Sequence, residues 1–326
     1  MSINLEVFDS YTVIVLGAGA SAHLGYPVGE TLRDKILKNT EDPNAVSFTQ
    51  LREMDFKQDL ISEFHEAFAA SGASTIDAFL EKRQEFVDVG RAAIALELIK
   101  YEDQDKLRVG GNNWYRKLRE EVARQINDND PHGLVLVTFN YDRSIDKFLH
   151  DFFISTFPTR AKSERIERWV PILHVHGRLG YLDHEKGFEP LRPYKPTASS
   201  EEILASSRSI RVPVEFKDKR LGSEMVYARK AITSDQARQV VFLGFGYDST
   251  NLRRLLIDDR FADRRWIGDK KYLGTAYNLP ISRIKELSAV SQGRLTLGDP
   301  TTPIYEFLDK QSCWGSTLDA INRRAT

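Results

Sequence analysis

The run Thr12-Val13-Ile14-Val15-Leu16 enters Gly17-Ala18-Gly19-Ala20-Ser21 without a single polar break beyond its first residue. A strand with one wet face alternates apolar and polar residues. An unbroken β-branched run must be buried on both faces, which is the position of an interior strand in a parallel sheet covered by helices. A helix-like stretch, Glu30 to Lys38, follows the glycine turn. Strand signals return at Leu134 to Phe139, Val170 to His176 and Val240 to Gly244, and more weakly at Lys271 to Ala276. Helical stretches follow at Ser144 to Phe153, Ser249 to Ile257 and Ile281 to Leu287, and Glu224 to Gln239 leads into the third of these returning strands. This alternation predicts an α/β protein: a Rossmann-like, doubly wound parallel sheet with right-handed crossovers.

Between the first two strands the chain makes a long helical excursion, predicted over residues 44–129. Ser74-Thr75-Ile76-Asp77 reads as a capped helix start, and Ile76, Phe79, Leu80 and Phe86 recur near helical spacing. Arg91 to Lys100 and Trp114 to Ile126 continue the pattern around Gly110-Gly111-Asn112-Asn113. Residues 184–220 are loop-rich, with many Pro, Ser and basic residues from Pro190 onward. The 326 residues are read as one domain, large enough to bury a core without staples.

Composition narrows the function classes. Forty-six Lys and Arg against 47 Asp and Glu give a net charge of -1. A protein that bound nucleic acid over most of its surface would be basic, so none is expected as a partner. The basic stretches Arg160 to Arg168 and Arg208 to Arg220 read as solvated faces. The single cysteine, Cys313, rules out an internal disulfide and a four-cysteine zinc site. Apolar runs such as Gly133 to Phe139 fall far short of the roughly 18 residues a membrane span needs. The first residues lack a charged segment followed by an apolar one, so a soluble, cytoplasmic protein is expected.

Four motifs carry candidate chemistry, each with a plain alternative. Gly17-x-Gly19 after a buried strand suits close approach of a pyrophosphate at a helix N-terminus, or simply a tight turn. No acid ends a second strand some twenty residues on, which weakens a dehydrogenase reading. Asn140 and Asp142, at the end of the second strand, suit a ribose and a water, or Asp142 is a helix cap. His174-Val175-His176-Gly177 puts two histidines on one strand face. They read as a general base at a cleft, a packed structural pair or, lacking a third ligand, far less well as a metal site. Gly244-Phe245-Gly246-Tyr247-Asp248-Ser249 is a second glycine turn, either dinucleotide-binding or a turn capped by Asp248 or Ser249.

Taken in order, these motifs resemble the sirtuin family. Gly17, Ala18, Gly19 and Ser21 match its GAGxS turn, and Gly25-Tyr26-Pro27 stands at its G-x-P offset. Asn140 and Asp142 match its N-x-D, His176-Gly177 its catalytic His-Gly, and Gly244, Gly246, Asp248 and Ser249 lie at its later glycine turn. The resemblance implies NAD+ as the bound nucleotide, with Asn140, His176 and Asp142 as catalytic residues and the two glycine turns, with Gly25 and Pro27, as the NAD+ cradle. Val28, Gly29 and Glu30 stand where family deacylases carry Asp-Phe-Arg, and one cysteine cannot build their zinc module.

With the helical insertion in that module's place, the chain resembles the zinc-less, NAD-hydrolysing sirtuin-like effectors of bacterial phage defence. This implies an NAD+ glycohydrolase, using NAD+ as substrate and no metal, controlled by self-assembly as a homo-oligomer or by a separate sensor protein encoded alongside. An NAD-dependent deacylase and a non-catalytic NAD- or ADP-ribose-binding sensor are the alternatives. Tyr277 and Asn278, just past the fourth returning strand, are offered for the adenine pocket.

Overall fold

A computed structural model describes residues 11–108, 113–212, 223–255 and 270–311. Its centre is a sheet of six parallel strands: β1 (Thr12–Leu16), β2 (Leu134–Thr138), β3 (Ile172–His174), β4 (Gln239–Leu243), β5 (Lys271–Gly274) and β6 (Leu295–Leu297). They lie in the order β3-β2-β1-β4-β5-β6, every neighbouring pair parallel. This is the doubly wound Rossmann order, in which the chain winds outward in both directions from β1 and leaves a crevice at the β1/β4 switch point.

The unbroken apolar runs explain the centre of the sheet. All five residues of β1, β2 and β4 are buried. Ile14, Leu16, Leu134, Leu136, Val241 and Leu243 face one hydrophobic core. Val13, Val15, Val135, Val137, Val240 and Phe242 face the other. Each such side chain contributes about 1.5–3 kcal/mol when taken from water.

The first core reaches into the excursion between β1 and β2. That crossover carries α1 (Gly29–Glu41), α2 (Val46–Glu53), α3 (Gln58–Ala70), α4 (Ile76–Leu80), α5 (Val87–Ile99), α6 (Gln104–Arg108) and α7 (Tyr115–Asn127). Phe64, Phe68, Phe79 and Phe86 pack ring to ring at 4.8–5.9 Å within it. The cap of α4 is Thr75, whose Oγ1 accepts the Ala78 N–H at 3.2 Å. Then follow α8 (Ser144–Thr156), α9 (Ser200–Ser207), α10 (Ser223–Thr233), α11 (Ser249–Arg254), α12 (Ile281–Val290) and α13 (Ile304–Lys310).

Several elements differ from the sequence reading. The strand expected over Val170 to His176 contains only Ile172–His174, because the chain turns at once, the Gly177 N–H donating to His174 O at 3.0 Å. The two histidines therefore do not share a strand face. The helix expected over Glu224 to Gln239 ends at Thr233, since Gln239 opens β4. The loop-rich segment contains α9, held by a reciprocal cap between Ser199 and Glu202. β6 and α13 were not anticipated; β6 is a three-residue edge strand with Thr296 exposed, too short for a pattern. Ile257, Gly110 to Asn112, the end of Arg208 to Arg220 and Cys313 lie outside the described residues. Among the described residues no helix is long and apolar enough to cross a membrane.

One fully buried charge cluster joins three distant segments. Glu102, between α5 and α6, accepts from Arg143 Nε at 2.9 Å, Arg143 Nη2 at 2.6 Å and Arg192 Nη2 at 2.5 Å. Arg143 also donates to the carbonyls of Tyr181, Arg192 and Pro193. Removing one partner from such a buried cluster leaves uncompensated charge, at a cost of about 3–5 kcal/mol. Glu102→Gln should therefore lose about that much stability in a urea titration at neutral pH.

Candidate active site

The carboxyl ends of the inner strands meet at one edge. The loop leaving β1 and the loop leaving β4 touch backbone to backbone: the Gly17 N–H donates to Leu243 O at 3.1 Å and the Gly19 N–H to Gly244 O at 2.9 Å. A Cβ on Gly17 would lie 2.6 Å from Gly244 O, and one on Gly244, where φ is +57°, would lie 2.1 Å from the Ala20 nitrogen. This contact alone accounts for glycine at 17, 19 and 244. Gly246 is different: it is exposed, and a Cβ there would meet nothing within 4 Å. Ala18, on the β1 loop, is exposed as well.

The turn does not run directly into an α-helix. Ala18–Leu24 form a 3-10 helix that Gly25 closes at φ +92°, and α1 begins only at Gly29, beyond the buried Pro27. Proline lacks a donor and holds the residue before it out of the helical region, which explains the break. Trp114, just before α7, donates its indole N–H to Ala20 O at 2.8 Å and so pins the 3-10 helix to the crossover.

Asn140 and Asp142 close on this loop. The Asn140 amide donates to Gly17 O at 3.0 Å and to the Ser21 hydroxyl at 3.2 Å. Ser21 in turn donates to Asp142 at 2.8 Å. The other Asp142 oxygen accepts the Ser144 N–H at 3.1 Å and the Ser144 hydroxyl, which also bonds Tyr115 OH at 2.8 Å. Asp142 thus serves the start of α8 and the GAGxS loop together. Burial raises its carboxyl above the ordinary range, against the pull of the Ser144 and Ser21 hydrogen bonds.

The two histidines part company. His174 Nε2 bonds both oxygens of Asp146 on α8, at 3.1 and 3.0 Å. Arg178 bonds Asp146 at 2.7 Å and Glu185 at 2.6 Å, completing a buried structural network. Burial works against the Asp146 charge, but His174 and Arg178 overcome it and hold the carboxyl below its usual range. His176 instead packs its ring on Phe139 at 5.0 Å and Tyr141 at 6.1 Å, the residues either side of Asn140. It is 3% exposed. Arg254 Nη1, at the end of α11, lies 3.4 Å from its Nε2. Burial first, then the Arg254 charge, lower its pKa to about 3.

The crossover supplies residues that the motif reading did not include. Tyr141 OH bonds Asp77 on α4, and Arg254 reaches Glu81, just past α4, at 3.5 Å and Asn251 at 3.0 Å. Burial raises the Asp77 carboxyl, opposed by Tyr141 and Arg254. Asp248 caps α11, accepting the Asn251 N–H at 3.1 Å, while Ser249 is exposed at its first turn. Tyr277 is exposed and Asn278 donates its N–H to Pro300 O at 2.9 Å, both past β5 on the same sheet edge. Among the described residues no group of three or more His, Cys, Asp or Glu could hold a metal ion.

No protein-family model matches the chain, and no curated protein matches it in sequence.

Two outcomes follow from the geometry. Gly244→Ala should disrupt the contact between the two loops and lower the melting temperature markedly, whereas Gly246→Ala should leave it nearly unchanged. The buried His176 makes stability pH-dependent. Below pH 6.5 the unfolded chain takes a proton that the folded chain refuses down to about 3, so stability falls as pH falls through that window. The His176 contribution to that loss is about 2 kcal/mol between pH 7 and pH 5. Denaturant titrations at the two pH values should show His176→Gln losing less stability than the parent by about that amount.

Proposed function

We propose that this chain is an NAD+ glycohydrolase of the sirtuin-like kind, cleaving the bond between nicotinamide and ribose. The observation that carries the reading is convergence. The GAGxS loop, the Asn140–Asp142 segment and His176 come from three separate stretches of sequence, and all lie at the carboxyl edge around the β1/β4 switch point, where doubly wound sheets bind ligands.

The chemistry asked of these residues is specific. Water adds to C1′ as the C1′–N bond breaks, and nicotinamide leaves with the bonding electron pair. Positive charge develops on the ribose in the transition state, as in other glycoside cleavages. Asn140 orients the attacking water and the ribose hydroxyls. The carboxylate of Asp142 disperses the developing charge. His176 takes the proton from water or from a ribose hydroxyl, a contribution of about a hundredfold to ten-thousandfold. The exposed rim at Ala18 and Gly246 supplies backbone N–H groups to the phosphates. The products are ADP-ribose, nicotinamide and a proton.

The biological setting we propose, a cytoplasmic NAD-depleting antiviral effector switched on by self-assembly or by a separate sensor protein, rests on the family resemblance alone. A second reading, a module that binds NAD+ or ADP-ribose without turnover, draws support from the deep burial of His176 under Arg254.

One experiment separates these readings. Purified protein is incubated with NAD+, and nicotinamide is followed by chromatography. The glycohydrolase reading expects release with water alone, no acylated peptide being needed, and a loss of at least a hundredfold in Asn140→Ala and His176→Ala with intact folding. Full turnover in either variant overturns the assignment. Millimolar NAD+ should also raise the melting temperature of His176→Ala, by about 2.7 kcal/mol of stabilisation at a hundred times the dissociation constant. A shift with NAD+ recovered whole from the parent protein selects the binding module; no shift rejects the site.

A further inference from the structure

The contact between Arg254 and His176 carries a consequence for the base itself. A guanidinium has five N–H donors and no acceptor. Where its Nη1 approaches Nε2 of His176 at 3.4 Å, that ring nitrogen must be the acceptor. The ring is then neutral, with its proton on Nδ1. We propose that Arg254 is a positioning residue for His176, fixing Nε2 as the unprotonated nitrogen and so preselecting the tautomer that a base working through Nε2 requires.

This rests on the reading of His176 as the base of the proposed reaction. A water or hydroxyl about to lose its proton also donates to Nε2, in the same sense as the arginine does at rest. The substrate group therefore replaces one donor with another, and no proton need be rearranged on the ring first. The guanidinium is itself held in place. Asn251 accepts from Nη1 at 3.0 Å within α11, and Glu81 of the crossover reaches Nη2 at 3.5 Å. Asp77 and Asp248 add further negative charge near the guanidinium. On the histidine side the described neighbours include the rings of Phe139 and Tyr141 and, from the loop after α9, the Arg211 N–H donating to the His176 carbonyl at 2.8 Å. Among the described residues, Arg254 is thus a charged group that bears on the imidazole, and the helical crossover helps to place it.

The test reads the ring directly. Nitrogen-15 NMR of the histidine side chains in the full chain, with His176 assigned by comparison with His176→Gln, reports which nitrogen carries the proton. In the parent protein Nε2 should stay unprotonated and Nδ1 protonated from pH 8 down to pH 5. In Arg254→Gln the ring should take up a second proton at a pH higher by about one unit or more. The acid limb of kcat/KM for nicotinamide release should move upward with it, while the alkaline plateau changes less. A proton on Nε2 in the parent protein overturns the proposal without any substitution. So does an Arg254→Gln variant that folds, keeps the parent tautomer and titration, and loses rate equally at every pH. The NMR result stands whether or not nicotinamide is released, so failure of the glycohydrolase reading is seen separately.

Discussion

Two peptide hydrogen bonds between glycine-bearing loops hold the site in register: Gly17 to Leu243 and Gly19 to Gly244. They form where β1 and β4 diverge, the point at which a doubly wound sheet opens a crevice. The approach is so close that a methyl group at 17, 19 or 244 would overlap backbone atoms of the facing loop. Because the β1 loop is fixed this way, Gly17 O and the Ser21 hydroxyl are presented to Asn140, and Ser21 is presented to Asp142. A small shift between the loops would break the Asn140 and Asp142 bonds together, since buried polar networks reward only complete satisfaction.

The same edge shows how neighbouring residues of one type acquire different work. His174 and His176 are two positions apart. The turn after His174 sends the first against the Asp146 carboxylate and the second between two aromatic rings and a guanidinium. An imidazole against a carboxylate is a packed hydrogen-bond partner. An imidazole beside a guanidinium in a dry pocket is kept neutral, because burial and a like charge both penalise its protonated form. Nothing intrinsic to either residue decides this; the end of β3 does.

The fold was legible because the strands that matter are buried on both faces, and that leaves unbroken runs such as Val13 to Leu16 and Leu134 to Val137. Edge strands leave no such mark, and β6 with its exposed Thr296 went unread. Of the site, Asn140, Asp142, Ser21 and His176 are legible because they follow the ends of buried strand runs. Arg254, Asp77, Glu81 and Tyr141 were not assigned there. Asp77 and Glu81 belong to a helical crossover whose docking depends on the phenylalanine core of α3 to α5, and that packing leaves only a helical period in the sequence. Arg254 ends a six-residue helix with no pattern to single it out. Of the four motif glycines, those at 17, 19 and 244 answer the facing loop, as a tight turn requires, and at 246 the space beyond is open.

Glu102 and its two arginines bear on how the molecule comes apart. The acid comes from the crossover, one guanidinium from the start of α8 and the other from the strap between β3 and α9. Peeling any one of the three away would strand a bare charge where water is excluded. The crossover, although it is longer than the sheet it serves, therefore has no cheap way to open by itself, and heat should release it and the sheet in one cooperative step.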